Sequence, residues 1–599
     1  LDSLQSAGIV SKNYGDIGLS KKDIKKLTTH IAVKTPEAFG GAANRLRTLG
    51  AEQATLTGTT LLMEDFKPVL KKEREAAEKT LLKKLQIAKA TSRTQNEHQR
   101  AIRGIFDDVL GKLNKRGMNV LKGRITSQPT QRSNVNAELT FSGARVKPVQ
   151  LQQVMMGAGA VLDGRGDVVG TPIMKSYTEG LDATGYWGTL HGARMGTVSK
   201  VIEVQDPGHL TKQLINTAMD MTVTVEDCGT KSGVDVDINR PEDDLEGRFL
   251  ASSVKSGNKS WNRNRLVDGN VLSFMRQKGQ GKIKVRSPAT CEAEEGVCQK
   301  CVGALPNGKT LPIGNNFGIL ASQAIGERST QLTLSTFHAG GVYEPGDTST
   351  AKNLFQEASA LLRMPGTMGG QKAVVSPVAG KVDTIKRNRE KGGWDLKIQT
   401  AGNAPNPTIF LPGNRNAPDG YDAPRFYKKG RRIGKGDVLT DGLANPKEIL
   451  DATGDMDKVR GYLTNRLGNL FAEKGVLRRN VEGVVRAMTG TVEVADPGGA
   501  DLLPGQKIPE AQAKKLHKTF KNLTVRPLLR GVDVAPREYR EDFLARFNYN
   551  NLRQVLTDAA QTGATSNYHS THPIPALTYA AEFNRASKAG GARNKQGDY

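Results

Sequence analysis

Apolar positions fall into separate helix-like and strand-like runs. Ser20-Lys21-Lys22-Asp23 has the form of a helix start ahead of Ile24, and residues 1–60 read as short helices, with Leu46 and Leu49 before a Gly-rich turn. From 63 to about 117 charged helix formers dominate, with few Gly or Pro. Two antiparallel helices joined near 92–96 are predicted, a solvated charged hairpin. Residues 118–190 turn to Gly, Val, Thr and Asn, with a turn at 163–167 and a helix over 148–156. Residues 192–225 read as one long helix interrupted at Asp206-Pro207-Gly208, because an internal Pro removes a backbone bond. Residues 229–316 are mixed and turn-rich. Helices are predicted over 317–338 and 354–363, with a loop over 341–353 between them. Short strands at 373–378, 381–385 and 396–398 alternate with Gly/Asn/Pro turns in a β-rich stretch over 372–445. Helices return over 446–488, and the tail from 586 to 599 is rich in Gly, Lys, Arg and Asn. No internal repeat is found. The fold class is α+β, helix-rich and multi-domain. Its expected segments are 1–60, 61–117, 118–191, 192–227, 228–316, 317–365, 366–445, 446–520 and 521–599.

Composition narrows the partners. The 599 residues carry 86 Lys plus Arg against 61 Asp plus Glu, a formal net charge of +25. Such a surplus points to a polyanion, nucleic acid first and an acidic membrane surface second, with solubility alone as the plain alternative. No run approaches the ~18 consecutive apolar residues of a membrane span. The length suggests about four domain-sized units. The first residue is Leu1, and no secretory signal pattern follows it. A fragment, a processed product or one piece of a split protein is expected.

All four cysteines lie between 228 and 301: Cys228, Cys291, Cys298 and Cys301, the last two in a CxxC. A CxxC loop presents two thiolates to one tetrahedral Zn²⁺, and two more sulfurs close a structural site. The redox alternative lacks the aromatic-flanked βα setting of a thioredoxin motif, and unligated buried thiols are the remaining reading. A closed four-sulfur site leaves no position for substrate, so the predicted zinc is structural.

Residues 318–341 carry a second signal. Gln331, Leu334, Ser335 and His338 fall at i, i+3, i+4 and i+7 and share one helical face. An amide, an apolar group, a hydroxyl and an imidazole together suit a ligand with a base, a sugar and phosphates. A satisfied His on a half-buried helix is the plain alternative. Gly340-Gly341 just beyond His338 favours a gating segment.

This run resembles the trigger loop of the multisubunit RNA polymerases, in the largest bacterial subunit, β′. Arg328-Ser329 stands where that family has Pro-Gly, and Leu334-Ser335 where it has Met-Arg. The resemblance continues in order along the chain. Residues 192–230 are similar to the bridge helix and the first zinc cysteine, and 285–303 to the rest of the zinc site. Residues 142–145 and 171–181 are similar to the loop region before the bridge helix, and the charged hairpin to the rim helices of the secondary channel. Residues 439–448 and 495–505 resemble the segments after a jaw module, and 551–558 a C-terminal switch helix.

The resemblance implies a DNA-directed RNA polymerase subunit. The helix carrying Leu334, Gln331 and His338 would close on a nucleoside triphosphate, with Leu334 on the base, Gln331 by the ribose and His338 by the phosphates. Ser335 replaces a phosphate-directed Arg. Arg194, Thr211 and Lys212 would serve translocation or contact nucleic acid. The family's Asn-Ala-Asp-Phe-Asp-Gly-Asp loop for catalytic Mg²⁺ does not occur in this sequence. The implied identity is therefore the C-terminal half of a split β′, inactive alone. Its implied partners are a β′ N-terminal chain holding the Mg²⁺, β-type chains, a specificity factor, DNA template, RNA and NTPs, with no membrane. The short link between the trigger helices favours a giant bacteriophage over plastid or cyanobacterial enzymes. The expected location is the infected bacterial cytoplasm, or the virion. The competing readings are a zinc-stapled nucleic-acid-binding protein without catalysis and a virion structural protein. Neither accounts for the Gln331–His338 face.

Overall fold

The computed structural model describes residues 20–563, apart from 59, 93–94, 126–131, 164–166, 199–204, 240–243, 306–307, 339–341, 344–350, 367, 369–371, 401–405, 414–416, 419–422, 473–474, 538–543 and 545–551. The expected tail and Gly340-Gly341 lie outside the described residues. The chain divides into two compact units, one from residues 1–205 and 332–352, the other from 206–331 and 353–599. Helices and small antiparallel sheets are mixed throughout, an α+β class. Among the described residues no helix is long and apolar enough to cross a membrane.

In the first unit, α1 (Lys21–Lys34) begins on a reciprocal cap. The Ser20 hydroxyl accepts from the Asp23 amide at 3.3 Å, and the Asp23 carboxylate accepts from the Ser20 amide at 3.1 Å. Helix α2 (Pro36–Thr57) runs straight through Gly50 and ends at Gly58, which has a positive φ of 65°. The turn expected after Leu49 is not formed. Helices α3 (Lys71–Thr91) and α4 (Gln95–Lys122) make the predicted hairpin, extended beyond residue 117. Leu81 and Leu85 on one helix bury against Ile102, Phe106 and Leu110 on the other, each set at i, i+4 spacing.

The hairpin base is tied down by Arg74, which is 3% exposed. Its guanidinium donates to the Val69 carbonyl at 2.9 Å and to Glu179 at 2.7 and 3.0 Å. Gln99 exchanges two hydrogen bonds with the backbone of Val168, and the Tyr343 hydroxyl donates to Asp107 at 2.8 Å. Helices α5 (Val135–Phe141), α6 (Pro148–Met155) and α7 (Ala183–Val198) complete the described helices of this unit.

The second unit opens with α8 (Gln205–Ala218), followed by β1 (Val223–Val225). The interrupted helix expected over 192–225 is corrected at its C-terminal end. Residues 199–204 are outside the description, and the helical chain stops at Ala218. Pro207 is the third residue of α8. The β-branched run from Thr222 to Val225 then suits a strand better than another helical turn.

Strands β2 (Val234–Asp237), β3 (Val254–Ser256) and β4 (Lys259–Trp261), helix α9 (Gly269–Gln277) and strand β5 (Lys282–Val285) form a small lobe. Its core holds Val236, Ile238, Leu250, Met275 and Ile283. Strand β6 (Val297–Cys298) pairs in parallel with β1, and α10 (Gln299–Val302) follows it. Helix α11 (Phe317–His338) matches its predicted bounds, and α12 (Ala351–Arg363) starts three residues early.

The next module is the β-rich one. Strands β7 (Gly380–Asn388), β8 (Gly393–Gln399) and β9 (Thr408–Pro412), short helix α13 (Ala423–Phe426) and strand β10 (Arg432–Ile433) build it. The sheet order is β10-β7-β8-β9, antiparallel throughout. No strand forms over 373–378; isolated bridges join Lys372 to Leu443 and Val375 to Val438. Helices α14 (Pro446–Thr453), α15 (Met456–Ala472) and α16 (Arg478–Thr489) follow as expected. Strands β11 (Thr491–Asp496) and β12 (Lys507–Pro509), helix α17 (Glu510–Thr519) and strand β13 (Thr524–Leu528) then form a three-stranded sheet with its helix. That sheet crosses the expected 520/521 boundary and corrects the purely helical reading of 446–520. Helix α18 (Leu552–Thr562) falls where the C-terminal helix was expected.

Candidate metal centre and active-site helix

The metal centre is built by the β1–β6 pairing. Val223 lies beside Val297 and Val225 beside Cys298, which brings Cys228 onto the CxxC loop. One sulfur from each of Cys228, Cys291, Cys298 and Cys301 lies within 4.8 Å of all the others. Cys228 and Cys301 Sγ are 3.8 Å apart. That spacing is far beyond an S–S bond of about 2.05 Å and equals the ~3.8 Å edge of a tetrahedron with metal–sulfur bonds near 2.3 Å. Backbone amides of Glu292, Cys298 and Cys301 point at sulfurs at 3.4 Å. Buried sulfurs ringed by N–H donors are the environment of thiolates, so the four residues fit a closed tetrahedral metal.

One feature was not foreseen. Arg286, fully buried, extends its Nη2 to the sulfurs of Cys228, Cys298 and Cys301 at 3.2, 3.4 and 3.4 Å. Its Nη1 bonds Asp227 and the Asn264 side-chain oxygen. Burial would raise the Asp227 carboxyl, but the Gly229 amide, Arg286 and Lys300 outweigh it and hold it well below the usual carboxylate range.

The metal segment is also locked to α16 by buried charge. Arg248 and Glu482, 1% and 0% exposed, form a bidentate pair at 2.7 and 3.1 Å. Ser287 Oγ donates to the same carboxylate at 2.6 Å. Arg479 pairs with Asp244 at 2.7 Å, and Arg486 donates to the Cys291 carbonyl. Spacing in the sequence gives no hint of these pairs, because their members lie more than 190 residues apart.

Helix α11 begins on a side-chain cap. Asn316 Oδ1 accepts from the Ile319 amide at 2.8 Å, while its Nδ2 donates to the Met219 carbonyl at 2.6 Å. The helix then lies against α8 through two glycines. A Cβ on Gly318 would fall 1.8 Å from the Ala218 carbonyl oxygen, and one on Gly326 would fall 2.3 Å from Thr211 Oγ1. Ala321, Ser322, Ile325 and Ser329 bury on the same side. Small side chains on this face are what permit so close an approach.

Of the predicted active-site residues, Gln331 is exposed, accepting from Arg328 at 2.6 Å and donating to Glu327 at 3.2 Å. Leu334, Ser335 and His338 lie on the continuing backbone of α11; their side chains lie outside the description. Thr211 is half-buried, with its hydroxyl donating to the Pro207 carbonyl at 2.7 Å and its side chain against Gly326. The neighbouring Lys212 is exposed, as is Arg194 on α7.

A family model described as RNA polymerase Rpb1, domain 5 matches residues 180–399. The chain is 29% identical over 596 aligned residues to the DNA-directed RNA polymerase subunit beta' of Chloroflexus aurantiacus, covering 87% of this chain and 38% of that one. It is 30% identical to the same subunit of Bacillus subtilis, covering 87% of this chain and 43% of that one. For the Thermoanaerobacter subunit the figures are 29% identity, 89% and 44%. The chain thus spans about two fifths of the length of the curated relatives it matches.

Proposed function

We propose, on the premise that this chain belongs to the RNA polymerase β′ family, that it is the part of β′ supplying the helices that close on an incoming nucleoside triphosphate during DNA-directed RNA synthesis. The single observation carrying this reading is the seating of α11 on α8. Gly318 and Gly326 fix the first half of α11 against α8, and Gln331, Leu334, Ser335 and His338 follow on the same helix. In this reading α7 and α8 act as the bridge-type element and α11 with α12 as the trigger-type pair. The hairpin α3–α4 is the rim, and the β7–β10 sheet is the jaw-like module.

The chemistry follows from those side chains. Leu334 would press on the base, Gln331 would bond the ribose, and His338 would stabilise charge on the leaving pyrophosphate. Closure of the helix aligns the 3′-hydroxyl for in-line attack and excludes water. Arg194 and Lys212 would meet nucleic acid phosphates, with Thr211 holding α8 against α11. Catalytic Mg²⁺ would be held by carboxylates of another chain and would supply metal-ion activation of phosphoryl transfer. We read the four cysteines as a structural Zn²⁺ site, and the whole as one chain of a split bacteriophage β′ working with β-type chains.

The test is reconstitution with the partner chains and measurement of single-nucleotide addition. Gln331→Ala and His338→Ala should each slow addition at least about tenfold, one step of ~1.4 kcal/mol in barrier, while template binding is kept. Unchanged rates in both variants reject the assignment. Absence of any RNA synthesis by the wild-type assembly favours the non-catalytic binding reading instead.

A further inference from the structure

We propose that Arg286 is the charge-balancing and positioning residue of the four-cysteine centre, bridging three of its sulfurs through one guanidinium nitrogen and thereby setting how firmly the metal is held. The inference rests on the reading of the four cysteines as a Zn²⁺ site, and the experiment separates the two.

A divalent ion with four thiolates carries a net charge of minus two, and three of the four cysteines are buried. A buried charge needs a buried partner. Asp227 cannot be the whole counter-charge for Arg286, because Lys300 shares it at 3.0 Å. The guanidinium therefore needs further negative charge, and the only other polar atoms its Nη2 meets in these contacts are sulfurs at 3.2 to 3.4 Å. Adding Arg286, Lys300 and Asp227, together with Arg486 at the Cys291 carbonyl, brings the formal charge of the loaded centre to zero.

Geometry says more than charge. Nη2 contacts sulfurs from both ends of the site, Cys228 after β1 and the CxxC pair on the β6–α10 loop. Nη1 anchors the fork on Asp227 and on Asn264 at 2.9 Å. A lysine could supply the charge but not this two-sided grip, since an ammonium is a point donor on a flexible stem. N–H donors on a thiolate draw electron density from sulfur, orient it and hold the ligands in place when the metal exchanges. Partners of this kind typically change metal affinity by about 10- to 100-fold when removed. Arg286 is also continuous with the buried network. Its carbonyl accepts from Arg248, and the next residue, Ser287, bonds Glu482.

The experiment uses the full chain as wild type, Arg286→Lys and Arg286→Gln. Zinc per chain is measured by elemental analysis, and zinc release into excess chelator is followed with a chromogenic indicator. The same chains are loaded with Co²⁺ and the near-ultraviolet thiolate-to-metal charge-transfer band is recorded. Arg286→Lys keeps charge and bulk and is the decisive variant. Its zinc release should accelerate about tenfold and its charge-transfer band should shift, because one ammonium cannot both meet the sulfurs and hold the Asp227–Asn264 anchor that fixes the guanidinium. Arg286→Gln should release zinc faster still. Wild-type release and an unshifted band in Arg286→Lys overturn the role of Arg286 while leaving the zinc reading intact. A wild-type chain that retains no stoichiometric zinc and gives no thiolate band with Co²⁺ overturns the zinc reading, and the inference with it.

Discussion

Thr211 and Gly326 occupy the same space to within an atom: a methyl group on Gly326 would lie 2.3 Å from Thr211 Oγ1, 2.6 Å from Cγ2 and 2.8 Å from Cβ. Both sit mid-helix, so neither backbone gives way cheaply. Gly326→Ala should destabilise the α8–α11 packing by about 1–3 kcal/mol, the usual range for forcing a methyl into a packed contact. Adding Thr211→Gly to the same chain removes all three clashing atoms and should recover most of the loss in thermal unfolding. Additive destabilisation by the two changes would show that the helices do not meet at this point.

The Arg248–Glu482 pair predicts a strong and specific response. Glu482→Ala leaves a buried guanidinium without its bidentate partner and also strips Ser287 of its acceptor. Breaking such a pair from one side typically costs about 3–5 kcal/mol. Urea unfolding of the full chain measures it. A loss below about 1 kcal/mol, the range of surface ion pairs, would mean that the pair does not anchor the metal segment to α16.

Glu179 supplies a pH dependence. The Arg74 hydrogen bonds, aided by the Ser176 amide and hydroxyl, pull its pKa from 4.5 down to about 2. A carboxylate depressed in the folded state stabilises fully above its unfolded value. That contribution declines as pH falls from about 4.5 to about 2. Hydrogen-exchange protection around 69–74 and 174–179, corrected for intrinsic exchange, should fall as pH drops from about 4.5 to about 2 in the wild type. In Glu179→Gln it should be lower at neutral pH and flat across that window. A wild-type fall that persists unchanged in the glutamine variant would assign the acid sensitivity to another group.

On the proposed reading that the four cysteines hold Zn²⁺, removing it should act locally. With the thiolates uncompensated, the β1–β6 pairing and the 286–302 segment should lose amide protection on chelation. The α3–α4 hairpin, with its own core of Leu81, Phe106 and Leu110, belongs to the other unit and should keep its protection. Readmission of Zn²⁺ should restore the lost protection. Equal loss in both regions would show that the metal stabilises the chain globally.

Local chemistry explains how much was legible beforehand. The Ser20/Asp23 cap, the hairpin and the bounds of α11 were readable because each is written in short-range spacing: a polar cap, or apolar residues three and four apart. The four cysteines stand out by residue type and by the CxxC spacing of Cys298 and Cys301, while Cys228, 63 residues before Cys291, is brought to them by the β1–β6 pairing. The end of α8 at Ala218 is not legible from the apolar spacing, which continues through Met219 and Met221; the β-branched run from Thr222 to Val225 is the local signal that a strand follows. The β11–β13 sheet was missed where short strands alternate with a helix and carry few apolar residues.

By itself the sequence determined the α+β class, the four cysteines as a candidate metal set and the helix bearing Gln331, Leu334, Ser335 and His338, because these depend on residue type and spacing. Tertiary structure alone decided that Arg286 faces three of the sulfurs, that Arg248 meets Glu482, and that Gly326 rests on Thr211. No helical or strand periodicity links those partners, and a buried charge or a missing side chain acquires meaning only from what folding places beside it.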